Sequence, residues 1–230
     1  MRELSASEIL DVWERGRGRT LPERALDLLV AGGHGEPPPD LLSVGERDAV
    51  LVELRELTFG PSLPAVVACP SCSEQLEIEL AADDLREEGG SPDEIELGLE
   101  GHRVRFRPPT AGDLVEVARV ADVEEGRAVL LRRCVLEGEI SPEVEAAVAA
   151  RMAEADPGAW IELALACPEC GNEWTAPFDI VSFLWEEIGA CARRLVRDVH
   201  ALASAYGWRE SEVLALSAAR RSAYLELVAG

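Results

Sequence analysis

Two Cys-Pro-x-Cys pairs constrain this chain more than any other feature: Cys69-Pro70-Ser71-Cys72 and Cys167-Pro168-Glu169-Cys170, with 94 residues between Cys72 and Cys167. Strand patterns flank each pair. Ala65 to Ala68 leads into the first, and Gln75 to Leu80 leaves it with Leu76, Ile78 and Leu80 alternating against acidic residues. Trp160 to Ala166 and Glu173 to Phe178 do the same for the second. A tight turn between two strands lets two sulfurs and the turn's own amides converge on one ion. Four thiolates in a tetrahedron at about 2.3 Å suit zinc, so Cys69, Cys72, Cys167 and Cys170 are predicted to hold one structural Zn2+. That ion would tie the two halves of the chain together and make the intervening residues an insertion. A closed shell of four cysteines leaves no position for water, so the site is expected to organise rather than catalyse.

Other chemistries also use paired cysteines. A redox dithiol needs a helix N-terminus to activate its first thiol, whereas polar residues and strands follow these pairs. Two disulfides conflict with a reducing compartment, and iron is a further tenant for four sulfurs. Cys134 and Cys191 fall on apolar helical faces and read as packed thiols, not ligands.

Elsewhere the patterns are mainly helical. Ile9, Leu10 and Trp13 repeat at helical spacing behind Ser5 or Ser7; Thr20 with Glu23, and Ser43 with Glu46, fit capping boxes for two further helices, the second running through Leu57 to a stop at Phe59-Gly60-Pro61. Ile95 to Phe106 reads as a hairpin turning at Gly101-His102. Three helices follow, from Thr110 to about Val120, from there to Leu136, and from Ser141 to Pro157-Gly158. The longest helix starts at Asp179, ends at Tyr206 before Gly207, and carries Ile180, Leu184, Ile188, Leu195 and Leu202 on one face. Two short helices end the chain. The expected fold is α+β and mostly helical: N-terminal helices over 1–62, a split zinc ribbon over 63–82 plus 158–178, a hairpin and helical insertion over 83–157, and a C-terminal helical segment over 179–230.

Charge then limits the partners. All 22 basic residues are Arg and face 44 acids, a formal charge of -22, so a generic nucleic-acid surface is excluded. The hydrophobic share of 47% excludes wholesale disorder. No run approaches the roughly 18 apolar residues of a membrane span, and Met1 to Glu14 lacks a signal-peptide core, so a cytoplasmic protein is expected. Neither a phosphate loop nor a nucleophile elbow nor a zinc-protease helix is present, and the chain is not expected to be an enzyme. Of the three histidines, His34 lies in a Gly-rich turn, His102 at the hairpin tip and His200 in the long helix. Arg103, Arg105 and Arg107 alternate along one hairpin strand, facing an acidic partner or the chain's own carboxylates.

The run Asp179-Ile180-Val181-Ser182-Phe183-Leu184-Trp185-Glu186-Glu187-Ile188, with Arg194-Leu195, Val199-His200, Tyr206-Gly207-Trp208, Arg220-Arg221 and Tyr224-Leu225, resembles the T-even-type baseplate protein family of contractile phage tails and phage-tail-like injection systems. Gly45 to Glu56 and Thr58-Phe59-Gly60-Pro61, leading into the first knuckle, are similar to the same family, while about Asp83 to Asp156 is unmatched. Ser73 departs from the Gly that often follows such a knuckle, and Gly171 keeps it. The resemblance implies a protein-binding factor in building the baseplate or hub, cytoplasmic or particle-associated: an assembly chaperone that leaves, or alternatively a permanent component. Trp185, His200, Tyr206, Trp208, Arg220, Arg221 and Tyr224 are the candidate partner contacts, with mutual packing of the aromatic rings as the competing reading. A zinc-ribbon nucleic-acid regulator is the further alternative, disfavoured by the acidic residues around both knuckles.

Overall fold

A computed structural model describes residues 1–86, 90–99, 102–139 and 141–229. The expected hairpin tip at Gly101 and Glu87–Gly89 of the acidic, Gly-rich stretch lie outside the described residues. The fold is α+β and 55% helical, with small antiparallel sheets and a long C-terminal helix.

The helices start where short polar side chains satisfy the first free amides. Helices α1 (Ala6–Arg15), α2 (Leu21–Ala31) and α3 (Val44–Phe59) each follow a capping box. At α3 the Ser43 hydroxyl accepts from the Glu46 amide at 3.2 Å, and the Glu46 carboxylate accepts from the Ser43 amide at 2.9 Å. Their apolar faces close on one another through Ile9, Leu10, Leu28, Leu29, Leu51 and Leu54. Next comes a hairpin of β1 (Ser62–Ala68) and β2 (Gln75–Ala81).

The insertion holds more sheet than its helical pattern suggests. Strands β3 (Ile95–Leu99) and β4 (His102–Phe106) form the expected hairpin, and after α4 (Ala111–Val117) and α5 (Val123–Cys134) a short β5 (Val135–Glu137) pairs with β4. The expected helix to Leu136 thus ends early. Phe106 and Val104 need a partner edge to complete their buried face, and Val135 across from Phe106 supplies it. With α6 (Pro142–Ala155), these elements enclose a second core of Val104, Phe106, Cys134, Val148 and Met152. The arginines on and just after β4 meet the chain's own acids: Arg105 pairs with Glu94 and Glu137, and Arg107 with the buried Asp113 at 2.6 Å. Asp113 also accepts from Arg133 at 2.7 Å and from the Thr110 amide at 2.9 Å, and these donors outweigh its burial and hold its carboxyl down at about 2.

The insertion is anchored to the start of α3 at both ends. On one side Ala111 donates to the Leu42 carbonyl at 2.9 Å; on the other, Asp156 accepts from the Gly45 amide at 3.0 Å, filling a free donor of the helix. The chain then forms a second hairpin, β6 (Ile161–Ala166) and β7 (Glu173–Phe178), and enters α7 (Ile180–Tyr206). Asp179 caps α7 by accepting from the Val181 amide at 3.0 Å, and Gly207 ends it in the left-handed region at φ 69°. Ile180, Leu184, Ile188 and Leu195 of α7 are buried against α1, α2 and α3. Helices α8 (Glu210–Leu214) and α9 (Ala218–Ala229) fold back on its far end.

Candidate metal centre

The two knuckles meet because the helices beneath them are locked together. Arg55, in the last full turn of α3, is 1% exposed and makes a two-pronged pair with Glu187 in the second turn of α7, at 2.7 and 2.9 Å. Its remaining amine donates to the Gly60 carbonyl at 2.7 Å, where α3 ends. The end of α3 and the start of α7 are therefore held side by side, and the first hairpin leaves from one while the second arrives at the other. Leu63, Leu80, Ile161, Leu163 and Phe178 seat the roots of both hairpins on the main core. Further out, Leu76, Ile78 and Trp174 face each other beneath the cysteines, so each hairpin's apolar face covers the other.

The sulfurs converge. All four Sγ atoms of Cys69, Cys72, Cys167 and Cys170 lie within 4.8 Å of one another. The short distances cross between hairpins, 3.7 Å from Cys69 to Cys170 and 3.6 Å from Cys72 to Cys167. A tetrahedron of sulfurs at about 2.3 Å from a central ion has an edge of about 3.8 Å, close to both. A covalent S–S bond is about 2.05 Å, so these are four free thiols around a common point.

Both turns are built alike. Cys69 donates its amide to the Glu74 carbonyl at 2.8 Å and its carbonyl accepts from Ser73 at 2.9 Å; Cys167 does the same with Asn172 and Gly171 at 2.9 Å each. The residue after each second cysteine must be left-handed, with φ 69° at Gly171 and φ 63° at Ser73. The structure thus explains the odd residue of the first knuckle: Ser73 takes the glycine conformation, at a strain of roughly 1–2 kcal/mol. One cysteine of each pair, Cys69 and Cys167, is buried, and the other, Cys72 and Cys170, is exposed.

Crowding sets the electrostatics of Cys69 and Cys72. Burial pushes the Cys69 thiol up, but the Cys72 and Ser71 amides and its neighbouring sulfurs donate to it and hold it at about 7. At Cys72 the Glu74 amide pulls the other way, and the surrounding sulfurs with burial outweigh it, driving the thiol to about 12. Cys69 is thus the easier of the two to ionise and Cys72 the harder, because charge on one sulfur opposes charge on its neighbour. A divalent cation held between the sulfurs would offset that repulsion. The arrangement is compatible with a metal site.

The other candidate contacts are scattered over different settings. Trp185 is half-buried in the main core, lying over Gly16 with Arg24 stacked at 4.4 Å on its ring. Arg221 is buried and paired with Asp198 at 3.1 Å, tying α9 to α7 inside the molecule. Tyr206, Trp208 and Tyr224 do come together, with ring centroids 4.8 to 5.8 Å apart, and clasp the last three helices. His200 and Arg220 are exposed. Cys134 is fully buried in the insertion and Cys191 is half-buried on α7, both away from the cluster. Trp160, at the root of β6, is 68% exposed, and its indole N–H donates to Glu162 at 3.1 Å. Its place next to an alternating strand hid it, because a large ring there reads as core.

The model of the family described as T4 bacteriophage base plate protein matches residues 26–137. The match runs from within α2 to the end of β5 and supports a T4-type phage baseplate protein, as the sequence resemblance implied. The match includes the Gly45–Pro61 run and the first knuckle. It also takes in residues 83–137, which the resemblance left unmatched, and stops before the second knuckle and the α7 run. No curated protein and no solved structure matches the chain. No helix among the described residues is long and apolar enough to cross a membrane.

Proposed function

We propose that this chain is a zinc-stapled, protein-binding assembly factor for the baseplate or hub of a contractile tail or phage-tail-like injection system, acting as a chaperone and not as an enzyme. The family match over residues 26–137 carries the baseplate part of this reading. The crossed sulfur spacings of 3.6 and 3.7 Å carry the zinc part, since they suit a tetrahedral shell of four thiolates and every ligand position is then filled by protein. A charge of -22 supports the transient role: it keeps the free protein soluble in the cytoplasm and masks a basic hub surface until assembly. The partners are other baseplate or hub proteins. The permanent-component reading draws on the same family match.

The test is quantitative protein analysis of particles purified from cells producing the whole tail. The chaperone is expected in complex with a baseplate protein in lysate and absent from finished particles. Stoichiometric retention in those particles would make it a built-in component instead.

A further inference from the structure

The two hairpins carry charge of one sign only. Residues 56–85 and 152–192, which include both of them, contain no Arg, Lys or His. Elsewhere arginines pair with nearby acids, as Arg105 on β4 and Arg107 just after it do. The hairpins themselves hold no cation, and among the described residues none of the carboxylates on β1, β2, β6 or β7 has an ion pair. Four thiolates around one dication would add two further negative charges.

Between β2 and β6 runs a groove of about 280 Å3, floored by Leu76, Ile78 and Leu165 and rimmed by Glu74, Glu77 and Glu169. The three rim carboxylates are exposed, and among the described residues none has an ion pair. Each hairpin is a two-stranded sheet, so each strand keeps one unpaired edge. Hydrogen-bonded pairs alternate along an antiparallel ladder. Since Cys69 bonds Glu74 and Cys167 bonds Asn172, the backbone groups of Pro64 on β1, Gln75 and Glu77 on β2, Ala164 and Ala166 on β6 and Pro177 on β7 point away from their partner strands. The two prolines therefore sit on the outer edges, β1 and β7, where the missing N–H spoils strand addition. The two edges that line the groove contain no proline.

We infer that this groove takes an extended, basic segment of another protein as an added strand, its alternate apolar side chains over Leu76, Ile78 and Leu165 and its cations against Glu74, Glu77 and Glu169. The inference deepens the protein-binding reading above and rests on it. Main-chain bonds to the β6 edge supply affinity, and the acidic rim with the apolar floor selects for a segment alternating cationic and apolar residues. Charge complementarity decides the occupant, because an acidic strand or a nucleic acid would be repelled along the whole stem.

The experiment is fluorescence anisotropy of the zinc-loaded full chain with a labelled ten-residue peptide alternating lysine and valine. Binding is expected to fall at least tenfold when glutamate replaces lysine, and at least tenfold when alternate peptide amides are N-methylated in either register. Glu77→Arg and Ala164→Pro are expected to weaken it at least fivefold with zinc content unchanged, which separates edge loss from misfolding. No binding, equal binding of the acidic peptide, or full binding of both N-methylated peptides would overturn the inference. None of these outcomes bears on retention in particles, which tests the baseplate reading separately.

Discussion

The helical body and the double-hairpin stem are built from the same chain by different means. In the body, α1, α2, α3 and α7 bury a continuous set of Leu, Ile and Val side chains, and one buried ion pair fixes how α3 lies on α7. In the outer stem only Cys69, Leu76 and Cys167 are fully buried, with Ile78 and Trp174 half-covered. At roughly 25 cal/mol per Å2 so few apolar groups cannot hold two isolated hairpins together, and two-stranded hairpins alone are marginal in water. The body needs no cross-link and the stem does.

The largest effect expected from that contrast is metal removal. Structural zinc contributes on the order of 10 kcal/mol in small domains that fold around it. Chelation, or the Cys69→Ser, Cys167→Ser double variant, is expected to strip amide protection from β1, β2, β6 and β7 in hydrogen exchange while α3 and α7 stay protected. Loss of protection throughout would mean that body and stem are one cooperative unit. Second comes the clasp beneath them. Arg55→Ala leaves Glu187 without its partner and is expected to cost about 3–5 kcal/mol in denaturant unfolding. A loss under about 1 kcal/mol would show that apolar packing alone sets the α3–α7 contact.

A third prediction uses pH within the body. Burial raises Asp48 to about 6, its neighbour Arg47 opposing this and Asp179 and Asp156 adding to it. The folded state therefore holds this proton more tightly than the unfolded chain does, where Asp titrates near 4. Stability from Asp48 is full below about pH 4 and is lost as pH rises through about 6. Asp48→Asn is expected to move stability in the variant's favour by about 2 kcal/mol between about pH 4 and pH 7, read from unfolding midpoints. Asp113, held down at about 2, works oppositely and loses its contribution as pH falls below about 4. The smallest effect contrasts the two knuckles. Ser73→Gly is expected to stabilise the stem and Gly171→Ala to destabilise it, each by about 1 kcal/mol, because both positions are left-handed. Equal and opposite shifts in chelator resistance would check it.

What could be read from the sequence was local. Ser5, Thr20, Ser43, Thr110 and Asp179 each announced a helix start because a cap needs only residues two or three positions away. The four cysteines stood out because their spacing within each knuckle is fixed by one turn. Contacts across long separations could not be read: Arg55 with Glu187, and Asp156 on the Gly45 amide, join residues that no periodicity relates. The three-residue β5 was lost for a different reason, being too short to show alternation and continuous with the apolar pattern of α5. Trp185 and Arg221 were legible as unusual residues but not as internal ones, since a helix pattern shows a face without showing what covers it.

Elemental analysis of the purified chain decides whether one zinc ion joins the two hairpins. One zinc per chain is expected, falling to background in the Cys69→Ser, Cys167→Ser variant. Less than half an equivalent of any metal in the wild-type protein, or undiminished zinc in the variant, would contradict it.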